Sequence, residues 1–152
     1  MRLSRLWQAE THVTPRTVDI FFYSLFMDMG LLQQRGLHPS HPQVSCLDSY
    51  ALVISDRATL MPSAEARVYG IVTGLPFADI DTLYAEPSVR EYRPEAVLVT
   101  RKDGRQSPAL CYTLPSVADA PRNTIYAVQL LALAKTLAFP EAYLDTLQRL
   151  AQ

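Results

Sequence analysis

Val18-Asp19-Ile20-Phe21-Phe22-Tyr23-Ser24-Leu25-Phe26-Met27-Asp28 decides how this chain is read. Its first six residues are short, β-branched and aromatic, which predicts a buried strand over 18–23. Asp28 is of the type that caps a helix. A brief helix is expected over 29–35, with Gly36 at the left-handed position that ends it. The chain thus opens on a strand, a loop that returns at once, and a helix.

Outward from there, His38-Pro39-Ser40-His41-Pro42 reads as a loop, 47–55 as a second strand and 57–62 as a connection. The third strand is expected over 67–74, and Gly70 within it signals a bulge or a close backbone approach. Pro76 opens a helix with Phe77, Ile80, Leu83 and Tyr84 at helical spacing, and Pro87 ends it. Residues 96–101 and 105–114 flank Asp103-Gly104, a strong hairpin signal in which both turn positions would take positive φ. Pro108 puts part of the second strand at an edge or a bulge. Tyr126, Leu130, Leu133 and Leu137 share one face of a helix over 121–139, and this stripe reads as core or subunit interface. Tyr143, Leu144, Leu147 and Leu150 line a last short helix after Pro140. The element order is neither a regular βαβ alternation nor all-β. It gives an α+β domain, 18–152, whose small mixed sheet curls round a core with helices flanking it. Residues 1–17 read as an irregular arm with a helical turn near Leu3, Leu6 and Trp7.

Composition limits the chemistry. The chain has 152 residues, 49% of them hydrophobic and 19% charged, enough apolar matter for one core. It has 5 glycines and 11 prolines, where ordinary usage gives about 11 and about 8. No glycine-rich phosphate loop can be read. The 14 basic and 15 acidic residues are interspersed, so neither nucleic acid nor an anionic membrane is an expected partner. Cys46 and Cys111 read as buried apolar residues in a reducing compartment. His12, His38 and His41 lack metal-ligand spacing, so no metal and no cofactor are expected. Without an apolar leader or a bilayer-spanning run, a cytoplasmic protein is expected.

The quoted stretch, with Leu31-Leu32 and Arg35-Gly36, resembles the opening strand, loop and helix of the gamma-glutamylcyclotransferase-like (AIG2-like) family. Other pieces follow in the family's order: Arg57-Ala58-Thr59-Leu60-Met61-Pro62, Arg67-Val68-Tyr69-Gly70, Leu83-Tyr84-Ala85-Glu86, Tyr92-Arg93-Pro94 and Ala109-Leu110-Cys111-Tyr112. The resemblance runs from about residue 18 to 114. It implies a small closed or nearly closed β-barrel with flanking helices. It also implies a reaction in which the α-amine of a gamma-glutamyl amine or peptide attacks its own γ-carbonyl and releases 5-oxoproline.

Such a reaction needs a base for the ammonium proton and N–H donors for the developing oxyanion. The resemblance implies Glu86 as that base and Tyr23, Ser24, Leu25, Phe26 and Met27 as the cradle. Tyr92 and Tyr112 become walls or hydrogen-bond donors of the substrate site. Two departures stand out. Ser24 occupies the place of a glycine and adds a Cβ; Leu25 occupies the place of a Ser or Thr and removes a hydroxyl. The helix also departs, since Glu86 is followed by Pro87 rather than by glycine.

Alternatives come from the residues themselves. Tyr23 serves equally as a wall aromatic with a partnered hydroxyl, and Glu86 as an exposed last-turn carboxylate, poorly placed against the helix dipole. Arg57 reads as a surface guanidinium, with a carboxylate-binding arm as the alternative. Two functions follow: a cyclotransferase acting on a small gamma-glutamyl substrate, or an altered relative that binds a small ligand or a partner. The apolar C-terminal helices allow a homodimer.

Overall fold

The computed structural model describes residues 16–152. The expected helical turn near Trp7 lies outside the described residues, as does nearly all of the expected arm. That arm was expected to run through residue 17, but Thr17 already pairs with Pro76.

Five strands close into a barrel: β1 (Thr17–Phe22), β2 (Ser40–Ile54), β3 (Ala58–Pro76), β4 (Arg93–Arg101) and β5 (Gln106–Thr113), in the spatial order β1-β3-β2-β4-β5. Four neighbouring pairs are antiparallel. The fifth, β5 with β1, is parallel, meets at Ile20 and Leu110, and closes the ring. The curled mixed sheet expected from sequence is therefore present, and it leaves no long unpaired edge. Successive side chains of a strand point to opposite faces. Ile20, Phe21 and Phe22 are all buried, so both faces of β1 are covered.

Four helices flank the barrel: α1 (Met29–Gln34), α2 (Phe77–Tyr84), α3 (Thr124–Thr136) and α4 (Glu141–Leu150). A single 3₁₀ turn, Leu25–Met27, links β1 to α1. Asp28 caps α1 as expected, its Oδ1 accepting from the Leu31 N–H at 3.2 Å. No helix among the described residues is long and apolar enough to cross a membrane.

Several boundaries differ from the sequence reading, for physical reasons. Residues 40–42 and 58–62 are strand, not loop and connection, so β2 and β3 form one long hairpin turning at residues 55–57. Exposed residues and Pro62 hide its middle section from any hydrophobic pattern. There the register shifts between Asp48 and Tyr50, where Ser49 takes φ +68°. At the β4–β5 hairpin only Gly104 has positive φ (+88°); Asp103 does not. The Arg101 N–H donates to the Arg105 carbonyl at 2.8 Å and the Gly104 N–H to the Arg101 carbonyl at 2.9 Å. This is a three-residue loop with glycine in the left-handed position, rather than a mirror-image two-residue turn. Pro108 pairs opposite Leu98, beyond the one position at which β5 meets β1, so its missing N–H costs no bond to β1.

Helix faces also shift. Phe77, expected on the buried side of α2, is 61% exposed, while Ile80 and Leu83 are buried. In α3 the buried face is Ala127, Leu130, Leu131 and Ala134. Small alanines let the helix sit close to its neighbours, and Tyr126 is left at the border of that face.

Gly70 is a close approach, as its place in the strand predicted. A Cβ there would lie 2.2 Å from the Phe22 carbonyl oxygen and 2.7 Å from the Phe21 ring. The obstacle includes backbone, which cannot swing away. Gly70→Ala is expected to destabilise the fold by about 3 kcal/mol, the upper end for an overpacked core. Urea denaturation checks this; a loss below about 1 kcal/mol would mean that β1 and β3 separate without cost.

Candidate functional site

Beyond the C-terminal end of β1 the chain cannot continue as strand, because the 3₁₀ turn folds it back over the barrel mouth. Ser24 carries the turn's entry, and its carbonyl accepts from the Met27 N–H at 2.9 Å. Other elements end at the same mouth: the last turn of α2, the entry to β4, the exit of β5 and the first turn of α3. Together they enclose a cavity of about 250 Å³.

Nearly half of its lining residues are aromatic: Phe21, Phe22, Tyr23, Phe26, Tyr84, Tyr92, Tyr112 and Tyr126. Tyr84 and Tyr112 stack with centroids 3.8 Å apart and planes 8° from parallel. The Tyr23 hydroxyl donates to the Tyr112 carbonyl at 2.8 Å, which ties β1 to β5 at the mouth. The Tyr92 hydroxyl donates to the Ala58 carbonyl. These hydroxyls hold the walls in place.

Three charged side chains line the cavity: Arg35, Arg57 and Glu86. Arg35 follows α1, and its Nη1 donates to both Glu86 oxygens, at 3.0 and 2.9 Å. The pair sits at the rim, with side chains 37% and 43% exposed. Surface pairs of this kind add little stability, so their interest is positional. The Arg35 guanidinium also lies 5.6 Å from the centre of the Phe26 ring. Arg57 is held by the Ser88 carbonyl at 3.2 Å and by Glu91 at 3.4 Å, over the Tyr92 ring. Its side chain is 28% exposed and faces the cavity, which departs from the surface guanidinium read in the sequence.

The structure brings most of the sequence-derived residues to one place. Tyr23, Ser24, Leu25, Phe26, Glu86, Tyr92 and Tyr112 all line the cavity. Met27 does not; it is buried in the core beneath the turn. Leu25 lines the cavity without filling it.

Sequence reasoning missed Arg35, Tyr84 and Tyr126. Arg35 looked like an ordinary helix end. Tyr84 and Tyr126 fell in apolar stripes, where a tyrosine cannot be told from core until the helix is docked. Tyr126 is docked by an Asn123 cap. The Asn123 Oδ1 accepts from the Tyr126 N–H at 3.0 Å. The Asn123 N–H donates to the Ser55 carbonyl at 2.7 Å, anchoring α3 to the β2–β3 turn. The Tyr126 hydroxyl is hydrogen-bonded to Ser24 Oγ.

Burial raises the ionisation of Tyr23, Tyr84 and Tyr92 above the ordinary tyrosine value. Below about pH 10 these groups are protonated whether the chain is folded or not, and their contribution to stability is complete. Above it the unfolded chain sheds the protons while the folded chain retains them, so stability falls as pH rises. Burial also holds the Cys46 and Cys111 thiols protonated past the ordinary thiol value, so the urea midpoint is expected to be flat between about pH 6 and about pH 8, to begin to fall at about pH 9 and to drop more steeply above about pH 10. Tyrosinate absorbance should appear together with loss of the near-ultraviolet dichroism. Free titration of all the tyrosines with the fold intact would contradict this burial.

No protein-family model and no curated protein matches the sequence. Solved structures do. A protein described as gamma-glutamyl cyclotransferase superposes with a TM-score of 0.74 at 19% identity, covering 87% of this chain and 86% of its own. A gamma-glutamyl cyclotransferase from yeast, described as specific to glutathione, gives 0.63 at 12% identity, with 90% and 96% covered. An AIG2-like protein from Mus musculus gives 0.55 at 18% identity, with 71% and 86% covered. At such identities the likeness concerns the backbone. This chain has the fold of the gamma-glutamyl cyclotransferases and AIG2-like proteins.

Proposed function

We propose that the cavity binds a gamma-glutamyl amine or peptide and cyclises it. The observation that carries this reading is the position of Glu86, whose carboxylate lines the same cavity as the turn of Ser24, Leu25 and Phe26. A carboxylate and the turn that would supply main-chain donors then border one small space, which is what an intramolecular acyl transfer needs.

Glu86 takes a proton from the substrate's α-ammonium group. The freed amine attacks the γ-carbonyl, and the new C–N bond closes a five-membered lactam. The carbonyl oxygen carries the charge of the tetrahedral intermediate. When the amide C–N bond breaks, the departing nitrogen takes the proton that Glu86 had held; the ring nitrogen then gives its surplus proton to Glu86, which passes it on so that the amine leaves as an ammonium ion. The products are 5-oxoproline and a free amine or amino acid. Aromatic walls exclude water and hold the chain bent, while Arg35 keeps the carboxylate at the rim.

A second reading is a relative that binds a small ligand and turns nothing over. It is favoured by the bond of Arg35 to both Glu86 oxygens, which gives the proposed base a standing partner. Release of 5-oxoproline from a panel of gamma-glutamyl amines and peptides separates the two. Under the first reading Glu86→Gln lowers kcat by about 10²- to 10⁴-fold, the usual share of general acid–base catalysis. Its 5-oxoproline affinity should stay within about threefold, because the amide keeps the shape. Absence of turnover across the panel, or an unchanged rate in the variant, would rule Glu86 out as the base.

A further inference from the structure

One face of the barrel wall has no cover among the described residues. In β4 and β5 the inward residues are Val97, Val99, Ala109 and Cys111, all buried. Side chains alternate along a strand, so Ala96 and Leu98 of β4 and Pro108 and Leu110 of β5 point outward. They are paired across the hairpin, Leu98 with Pro108 and Ala96 with Leu110, and form an apolar patch. Leu98 is 52% exposed, and Ala96 and Pro108 are exposed as well. Phe77 extends the patch from α2. It lies about two turns before Tyr84 on the same side of the helix. Tyr84 is stacked on Tyr112 of β5, so Phe77 faces β5 too, and it is 61% exposed. Apolar patches of this kind mark contact surfaces.

The described chain begins beside this patch. Thr17 pairs with Pro76, the residue before Phe77. β5 runs parallel to β1 with Leu110 opposite Ile20, which sets Pro108 beside Val18. The segment Leu3-Ser4-Arg5-Leu6-Trp7 is thus tethered at the edge of the patch. Its Leu3, Leu6 and Trp7 have the spacing of one helical face. Leu98 lies two strand spacings from β1, about 10 Å. The chain between Trp7 and Thr17 can reach at most about 35 Å, so distance is no obstacle. Charge also matches. Asp81, one turn on from Phe77, is exposed and has no ion-pair partner among the described residues. Residues 1–7 carry Arg2 and Arg5 and no acid.

We propose that residues 3–7 dock on this patch within the same molecule, with Leu3, Leu6 and Trp7 over Leu98, Pro108 and Phe77 and the arginines toward Asp81. The tether holds the segment at an effective concentration on the order of millimolar, so a small contact suffices. The docked segment clamps α2 to β5, the two elements whose tyrosines stack in the cavity wall. None of these contacts depends on what the cavity binds.

Trp7 is the only tryptophan of the chain, so its fluorescence reads the docking directly. In the full chain, excited where tyrosine does not absorb, its emission should lie to the blue of that in the urea-unfolded chain, and acrylamide should quench it less. Leu98→Asp and Phe77→Asp, made separately, should each move the emission to the red. Each should lower the ratio of docked to free segment about tenfold, the loss of one apolar contact. Both residues are more than half exposed and lie on different elements. The cooperative thermal transition of the barrel checks that each variant folds, and if one fails the other carries the test. Val128→Asp, at a 53% exposed site on α3, should leave the emission unchanged. The wild-type emission should be the same at high and low protein concentration.

Native emission that matches the unfolded chain would overturn the proposal. So would blue emission that a folded Leu98→Asp or Phe77→Asp chain retains in full, or that Val128→Asp shifts equally. Blue emission that turns red on dilution would put the segment on a second copy and overturn docking within one chain.

Discussion

The closure of β5 onto β1 is the constraint on which the rest depends. It is a single parallel register position, Ile20 with Leu110, yet it turns an antiparallel ribbon into a ring. The closed ring has a mouth, and the chain leaves β1 at that mouth. The turn of Leu25–Met27 must fold back there, and the Tyr23 hydroxyl reinforces the join by donating to the Tyr112 carbonyl. Without closure, Phe22 and Tyr112 would lie on opposite margins of an open sheet, and no cavity would form between them.

Closure also explains the severity of the packing next to it. Phe21 and Phe22 fill space over β3 so tightly that position 70 has no room for a methyl group. The same crowding supplies the cavity walls, because the aromatic side chains that seal the barrel continue past its end. The site is thus a continuation of the core, with three charged groups placed at its rim. Their positions follow from element ends: Arg35 closes α1, Glu86 follows α2, and Arg57 is the last residue of the β2–β3 turn. Charges at element ends reach solvent easily, which is why such side chains can face a cavity without a large desolvation cost.

Chemistry at this mouth would need few parts, since a gamma-glutamyl compound carries its own nucleophile and electrophile. A carboxylate, main-chain donors and a dry wall suffice. Ser24 and Leu25 do not prevent a cavity; about 250 Å³ remains beside them. Their effect is on what lines it. A hydroxyl absent at 25 is matched by one brought from α3, a distant segment of the sequence.

How much of this could be read without coordinates follows from the range of the forces involved. The run from Val18 to Asp28 determined a strand, a return and a capped helix, because burial periodicity and side-chain capping act over a few residues. The order of the elements determined a curled mixed sheet with helices outside. Glu86, Tyr92 and Tyr112 could be nominated by resemblance, since their local sequence neighbours travel with them. The long β2–β3 hairpin could not be read: its exposed middle carries no hydrophobic pattern, and the ladder itself shifts register there between Asp48 and Tyr50. Nor could Phe77 be placed outside, or Met27 beneath the cavity, since helical spacing fixes relative angles and not which face docks. The Arg35–Glu86 pair and the Ser24–Tyr126 pair join residues 51 and 102 positions apart. Only the tertiary structure decided those contacts, because a hydrogen bond depends on distance in space, and the closed barrel sets that distance.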